Sequence, residues 1–234
     1  MEYESGLETE IGSPTSVTVR LAGQYDVTVV GAHDRYEQTK PGLGPVASRI
    51  VQHAPSAVLV ARELIAERSF RILVGVDGSF ASKYALRFLL SYFDVTSAEV
   101  TLIHVVETPW IHLGLDREWF GYPNDEDDRA NSEFQFEREL RVEAKAVTEY
   151  ARRRLGNYGI SAATVVEEGE PALEILSEAE KGEYDLIVLG ATGTADLKHN
   201  MLGSVSTRVA QHAPARSWSP SLLNDLASPS FNPV

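Results

Sequence analysis

The chain has 234 residues, 43% of them hydrophobic and 24% charged, which gives enough apolar mass for one large domain or two small ones. Its net charge of −13, from 21 basic and 34 acidic residues, excludes the clustered cationic footprint of a nucleic-acid binder. With no cysteine there is no disulfide, no thiolate metal site and no Cys nucleophile. The opening "MEYESGLETE" is acidic and lacks the apolar core of a leader, and no apolar run reaches the ~18 residues of a membrane span, so a cytoplasmic location is expected.

In chain order, the first organised stretch is "YDVTVVGAHDRYEQTKPGLGPVASRIVQHAP" from Tyr25, which returns as "YDLIVLGATGTADLKHNMLGSVSTRVAQHAP" from Tyr184 at a constant offset of 159 residues. Gly31 meets Gly190, Gly44 meets Gly203 and Arg49 meets Arg208, and both copies close on "QHAP". Such in-register agreement reads as two copies of one structural unit. Only the second copy has a long segment upstream of it. Only the first is followed by a β-branched strand, "AVLVA" (Ala57 to Ala61). The expected organisation is therefore residues 1–66 as the tail half of a degenerate unit, 67–214 as a fuller unit, and 215–234 as a disordered tail. Arg216 to Ser219 can be encoded so that a shifted frame reads Val-Leu-Val, the residues at 58–60, which makes a frameshift one origin for that tail.

From Phe70 the pattern alternates. "FRILVGVDGS" is a continuous apolar run closed by Asp77-Gly78, as for a parallel strand buried on both faces. Then come a helix over "ASKYALRFLLSYF", a strand "AEVTLIHVVE", and a helix from Glu133 to Leu155 capped by Gly156. A strand "SAATVVEEG", a helix opened by Pro171, a strand "YDLIVLG" and a final helix over "GSVSTRVAQHAP" complete the series. This predicts an α/β fold: an open parallel sheet, Rossmann-like, with helices on both faces. Ligands in such sheets sit beyond the carboxyl ends of the strands, where strand order reverses.

Two strand ends carry suggestive chemistry, Val76-Asp77-Gly78 and Gly190 to Ser204. A helix N-terminus exposes unpaired N–H groups and a partial positive charge, which suits phosphate, and glycines at 190 and 193 let a ligand come close. Neither a Walker A loop nor a Gly-x-Gly-x-x-Gly fingerprint occurs, so an ordinary strand-to-helix loop is the competing reading of the glycines. Asp77 either contacts a ligand or caps the next turn. His104 reads as a packed strand residue, and His53 and His212 as partners of helix-terminal carbonyls. "NDEDD" (Asn124 to Asp128) lacks the ligand spacing of a calcium loop and reads as solvated. Trp110 and Trp119 lie in a long connection that suits a lid or a partner surface. No Ser-His-Asp set and no zinc spacing can be placed, and Lys198 is the nearest lysine to the loop, so the chain is not expected to be an enzyme.

The blocks "RILVGVDGSFASKYAL", "TLIHVVE", "DLIVLGATG" and "GSVSTRVAQHAP", in this order, resemble the universal stress protein family. Its nucleotide-binding members share Gly-x2-Gly-x9-Gly-Ser/Thr, present here as Gly190, Gly193, Gly203 and Ser204. The resemblance implies a five-strand parallel sheet, a dimer, and ATP as ligand, with or without Mg. It places Val76 and Asp77 on the nucleoside and the Val105 backbone on adenine. Leu189, Gly190, Thr192, Gly193, Gly203, Ser204, Val205 and Ser206 fall on the ribose and phosphate side. Two departures stand out. The fifth strand is missing after Pro214, which leaves the fourth as a raw edge. In the first copy Asp34 replaces Gly193 and Pro45 replaces Ser204, so that copy is expected to bind no nucleotide. Its "AVLVA" strand is expected to complete or pair with the sheet of the second copy, as an alternative to a homodimer. The alternatives to an ATP-binding stress-response and signalling module are an interaction module that binds no nucleotide and an adenine-nucleotide hydrolase or transferase.

Overall fold

The computed structural model describes residues 6–32, 42–62, 68–107, 126–193 and 202–213. The larger sheet is built on β3 (Arg71–Gly75), whose Leu73 and Val74 are fully buried. It is flanked in parallel by β4 (Glu99–Val106) and β6 (Leu186–Val188), and β5 (Ala162–Glu168) lies outside β4, giving the order β5-β4-β3-β6. Side chains alternate across a strand, so each face acquires its own core. Ile72, Val74, Val100 and Leu102 pack with Leu86 and Leu89 of α3 (Phe80–Tyr92) and with Ala151 and Leu155 of α4 (Glu126–Gly156). Leu73 and Ile103 point the other way, to Ala172, Ile175 and Ala179 of α5 (Pro171–Lys181) and Val209 of α6 (Ser204–His212). The expected α/β sheet with helices on both faces is the one observed.

Local chemistry sets the helix ends. Ser79 is the N-cap of α3, its hydroxyl accepting from the Ser82 amide at 3.1 Å. Pro171 opens α5 and the Glu170 side chain accepts from the Ala172 amide at 3.2 Å. Helix α4 begins at Glu126, seven residues before its expected start, so Glu126 to Asp128 form its acidic first turn instead of a solvated loop. Its far end also differs: Gly156 belongs to the helix, and the left-handed residue after it is Gly159, at φ 75°.

At the amino ends of β3 and β6, Asp185 holds the strands together. Its side chain is 4% exposed, pairs with Arg68 at 2.8 Å and accepts from the Arg71 amide at 2.9 Å. Next to it the Tyr184 hydroxyl donates to Glu178 at 3.1 Å; burial and the Glu178 charge together raise its pKa above the ordinary value. A raised tyrosine pKa supports folding while the phenol is neutral and loses that support as pH climbs past ~10 and then the folded value. Stability is therefore expected to be insensitive to this group below ~pH 10 and to fall above it, and Tyr184→Phe is expected to flatten part of that alkaline fall in chemical denaturation.

The first 62 residues form α1 (Pro14–Ala22), β1 (Val27–Gly31), α2 (Pro45–His53) and β2 (Ala57–Ala61). The "AVLVA" strand, expected to complete or pair with the larger sheet, does not join it. Strand β2 pairs in parallel with β1, Val27 opposite Ala57 through Gly31 opposite Ala61, and not with the larger sheet. The two repeat copies are nonetheless equivalent in local structure at their last helices. α2 and α6 start and end at the same 159-residue offset, and the Gly44 amide donates to Ala32 O at 2.8 Å just as Gly203 donates to Ala191 O at 2.7 Å. The part that carries the smaller sheet contacts the larger one through its helices and flanking residues. On one face α2 packs on α6 and Arg62 donates to Ala210 O at 2.8 Å; elsewhere, Tyr92 at the end of α3 lies near Asp26, whose charge helps raise the phenol's pKa after burial.

Candidate functional site

The chain runs from β3 outward through β4 to β5, then returns to the opposite side of β3 as β6. Strand order reverses between β3 and β6, the place where open parallel sheets commonly take a ligand, and here it falls at the carboxyl ends beside Asp77 and Gly190. The Asp77-Gly78 turn is tight, with Gly78 at φ 77° in the left-handed region that favours glycine. The Asp77 Oδ1 accepts from the Ser79 amide at 2.9 Å. Its Oδ2 faces the opposite loop, 3.3 Å from where a Cβ on Gly193 would sit. Asp77 thus caps a turn with one oxygen and offers the other across the crevice.

The far wall is the mouth of α6. Gly203 is its N-cap, at φ −64° and ψ 160°, and brings no capping side chain. The first helical amides, of Ser204, Val205 and Ser206, have no intrahelical acceptor. Among the described residues they make no hydrogen bond, while the Gly203 amide itself is taken by Ala191 O. Ser204 is exposed and Val205 and Ser206 are half-buried. Three unpaired donors at the positive end of a helix can hold an anion.

The third wall is β4. The Val76 amide takes Ile103 O at 2.9 Å, so odd-numbered residues of β4 turn their backbone toward β3. β3 ends at Gly75, opposite Ile103, and Val105 therefore presents its N–H and C=O past the last rung of that ladder. Such an edge can pair with the polar rim of a base.

Several expected site residues have structural duties instead. Val76 packs in the core, its amide is bound to Ile103 and its carbonyl accepts from His104 Nδ1 at 2.7 Å; it supports the crevice without facing it. His104 is thus the strand residue it was expected to be, fastening β4 to the end of β3. Leu189 packs in the core on the α5–α6 side. Gly190 is small for the sake of α3: a Cβ there would lie 2.7 Å from Ala81 C and Ser82 N. The Ser206 hydroxyl donates to Gly190 O at 2.6 Å, so it ties the helix to the strand end and is not a free donor. Thr192 and Gly193 line the approach to Gly203, whose own Cβ position is 3.4 Å from Thr192 Cα. His212 Nδ1 donates to Arg208 O at 3.0 Å, a helix-end contact as expected. Lys198, Asp34, Trp110, Trp119, Asn124 and the 215–234 tail lie outside the described residues.

The family model described as "Universal stress protein family" matches residues 69–216. The chain belongs to the universal stress protein family. Among curated relatives, Universal stress protein YxiE of Bacillus subtilis is 31% identical over 141 residues, 60% of this chain and 91% of that protein. Universal stress protein MJ0531 of Methanocaldococcus jannaschii is 31% identical over 144 residues, 61% of this chain and 76% of that one. A solved universal stress protein from Archaeoglobus fulgidus shares the fold at a TM-score of 0.54 and 20% identity, covering 87% of this chain and 65% of that one. That fold match extends into the smaller sheet as well, since the family region alone is shorter than 87% of the chain. Within the universal stress protein region no group of three or more His, Asp or Glu able to hold a metal occurs among the described residues. Also among the described residues, no helix is long and apolar enough to cross a membrane.

Proposed function

We propose that this universal stress protein binds ATP in the crevice between β3 and β6 and acts as a nucleotide-dependent stress-response and signalling module without a catalytic role of its own. The observation that carries the reading is that, among the described residues, the Ser204, Val205 and Ser206 amides make no hydrogen bond, at a helix mouth that adjoins Gly193, which itself lies beside Asp77 Oδ2. These residues fit the group. The amides and the helix dipole suit the phosphates, Asp77 suits a ribose hydroxyl or a Mg ion carried in with the phosphates, and the Val105 backbone suits the adenine rim. The Gly190, Gly193, Gly203, Ser204 pattern, which resembles that of nucleotide-binding family members, adds support. In this reading residues 67–214 carry the one site, and 1–66 are a half-unit that binds no nucleotide, Pro45 removing an amide at the start of α2.

The reading is tested at Asp77. Asp77→Asn keeps an oxygen for the Ser79 amide, so the turn and the melting temperature are expected to hold while ATP affinity falls roughly tenfold. Unchanged affinity in calorimetry contradicts the placement of the ribose on Asp77.

A second reading, an interaction module without nucleotide, draws on a specific observation. Gly190, the Gly203 amide and the Ser206 hydroxyl all serve internal packing, so part of the motif is explained by the fold alone.

A further inference from the structure

Helix α6 has nine residues, too few to hold itself together in water, so its order depends on what grips it. Its last carbonyls lack intrahelical donors. That of Val209 is met by the Ala213 amide at 2.8 Å, within the same segment. That of Ala210 is met from 148 residues away by Arg62 Nη2 at 2.8 Å, the residue that follows β2 in the smaller sheet. Arg62 is half-buried, and burial lowers its pKa, yet guanidinium keeps its charge at any ordinary pH. Among the described residues no carboxylate pairs with it. A desolvated cation thus faces the negative end of the helix whose positive end forms the far wall of the crevice. In α2, the equivalent of α6, no side chain among the described residues reaches the matching Val51 carbonyl.

The grip is not a lone contact. Gly42, at φ 98°, lies close to Gln211 O, and Tyr92 of α3 lies near Asp26 just before β1. From Ala210 to Ser204 is about 9 Å along a helix at ~1.5 Å per residue, fewer than two turns, so the capped end and the Ser204–Ser206 amides belong to one short element.

We propose that Arg62 is a positioning residue that caps the carboxyl end of α6 from the smaller sheet and so holds the Ser204–Ser206 amides in register with Asp77. Nucleotide affinity then depends on the N-terminal part being docked. Only this last step rests on the ATP reading; the hold on α6 does not.

The test compares the full chain with Arg62→Ala and Arg62→Lys by amide hydrogen exchange over Thr207 to Ala213 and by ATP titration. Removing a charged hydrogen bond at a helix end is expected to speed exchange there about tenfold in Arg62→Ala and to leave β3 and β4 unchanged. Arg62→Lys, which keeps a cation and a donor, is expected to stay within about twofold of the parent. ATP affinity is expected to follow the same order, with about a tenfold loss in Arg62→Ala. If α6 exchange is the same in all three proteins, the inference is overturned whatever ATP does. If α6 loosens in Arg62→Ala while the parent protein binds no ATP, the hold on the helix stands and the nucleotide reading fails. If α6 loosens and ATP affinity is unmoved, the coupling to the site is overturned.

Discussion

Gly190→Val is expected to destabilise the fold by at least about 3 kcal/mol, seen as a lower midpoint in urea denaturation with an unchanged slope. The reason is steric. The position of even the first added carbon is 2.7 Å from the backbone carbon of Ala81 and the amide nitrogen of Ser82, and backbone at the start of a capped helix cannot step aside. Either α3 moves off the sheet, opening the core around Leu86 and Leu89, or β6 slides away from β3. For a chain of this size the same change is expected to lower Tm by roughly 6–12 °C. Gly193→Ala is the contrast. Its neighbour is the Asp77 carboxylate at 3.3 Å, the end of a side chain that can yield, and Gly193 is exposed. Its cost in stability is expected to stay within about 0.5 kcal/mol. A Gly190→Val protein as stable as the parent would show that the approach of β6 to α3 is looser than described.

Gly203→Asp is expected to separate binding from stability. The backbone there, at φ −64° and ψ 160°, is one that aspartate adopts readily, and a Cβ would meet nothing nearer than 3.4 Å. Aspartate is moreover a preferred N-cap: its carboxylate accepts from the second or third helical amide and sits well on the helix dipole. Stability is therefore expected to stay level or rise by a few tenths of a kcal/mol. ATP binding is expected to fall by more than ~100-fold, because the same carboxylate occupies the amides that phosphate needs and repels the phosphate charge. A variant that melts at or above the parent temperature and still binds ATP at parental strength would show that the α6 amides do not hold phosphate.

The fold was readable where one physical pattern dominated. The apolar run of β3 and the alternation of α3 and α5 with parallel strands carried the sheet. Helix α1 was hidden, because Thr15, Val17, Thr18 and Val19 are β-branched and read as strand by composition, and packing on α2 overrides that propensity. A signal did exist: Pro14 opens α1 as Pro171 opens α5, and Gly23 stands three residues before Asp26 as Gly182 stands before Asp185. The start of α4 was missed because acidic residues look like loop until the helix dipole is considered.

The candidate site was legible to the level of the loop and no further. Strand ends, glycine spacing and the family resemblance together singled out Asp77, Gly193, Gly203 and the α6 amides as candidates. Spacing could not tell a glycine that admits a ligand from one that admits a neighbouring helix, which is why Gly190 had both readings open. Nor could it show that the Ser206 hydroxyl and the Val76 carbonyl have partners of their own, since Gly190 and His104 are distant in sequence. The pairing of β2 with β1 instead of with the larger sheet was likewise beyond local pattern, because an apolar strand carries no address for its neighbour.

The most direct measurement is a calorimetric titration of the full chain with ATP, GTP and flavin mononucleotide under identical conditions. Saturable ATP binding is expected at one molecule per chain, with GTP weaker by at least about tenfold and no saturable heat from flavin mononucleotide. No saturable heat from ATP, or equal affinity for all three, contradicts the ATP reading.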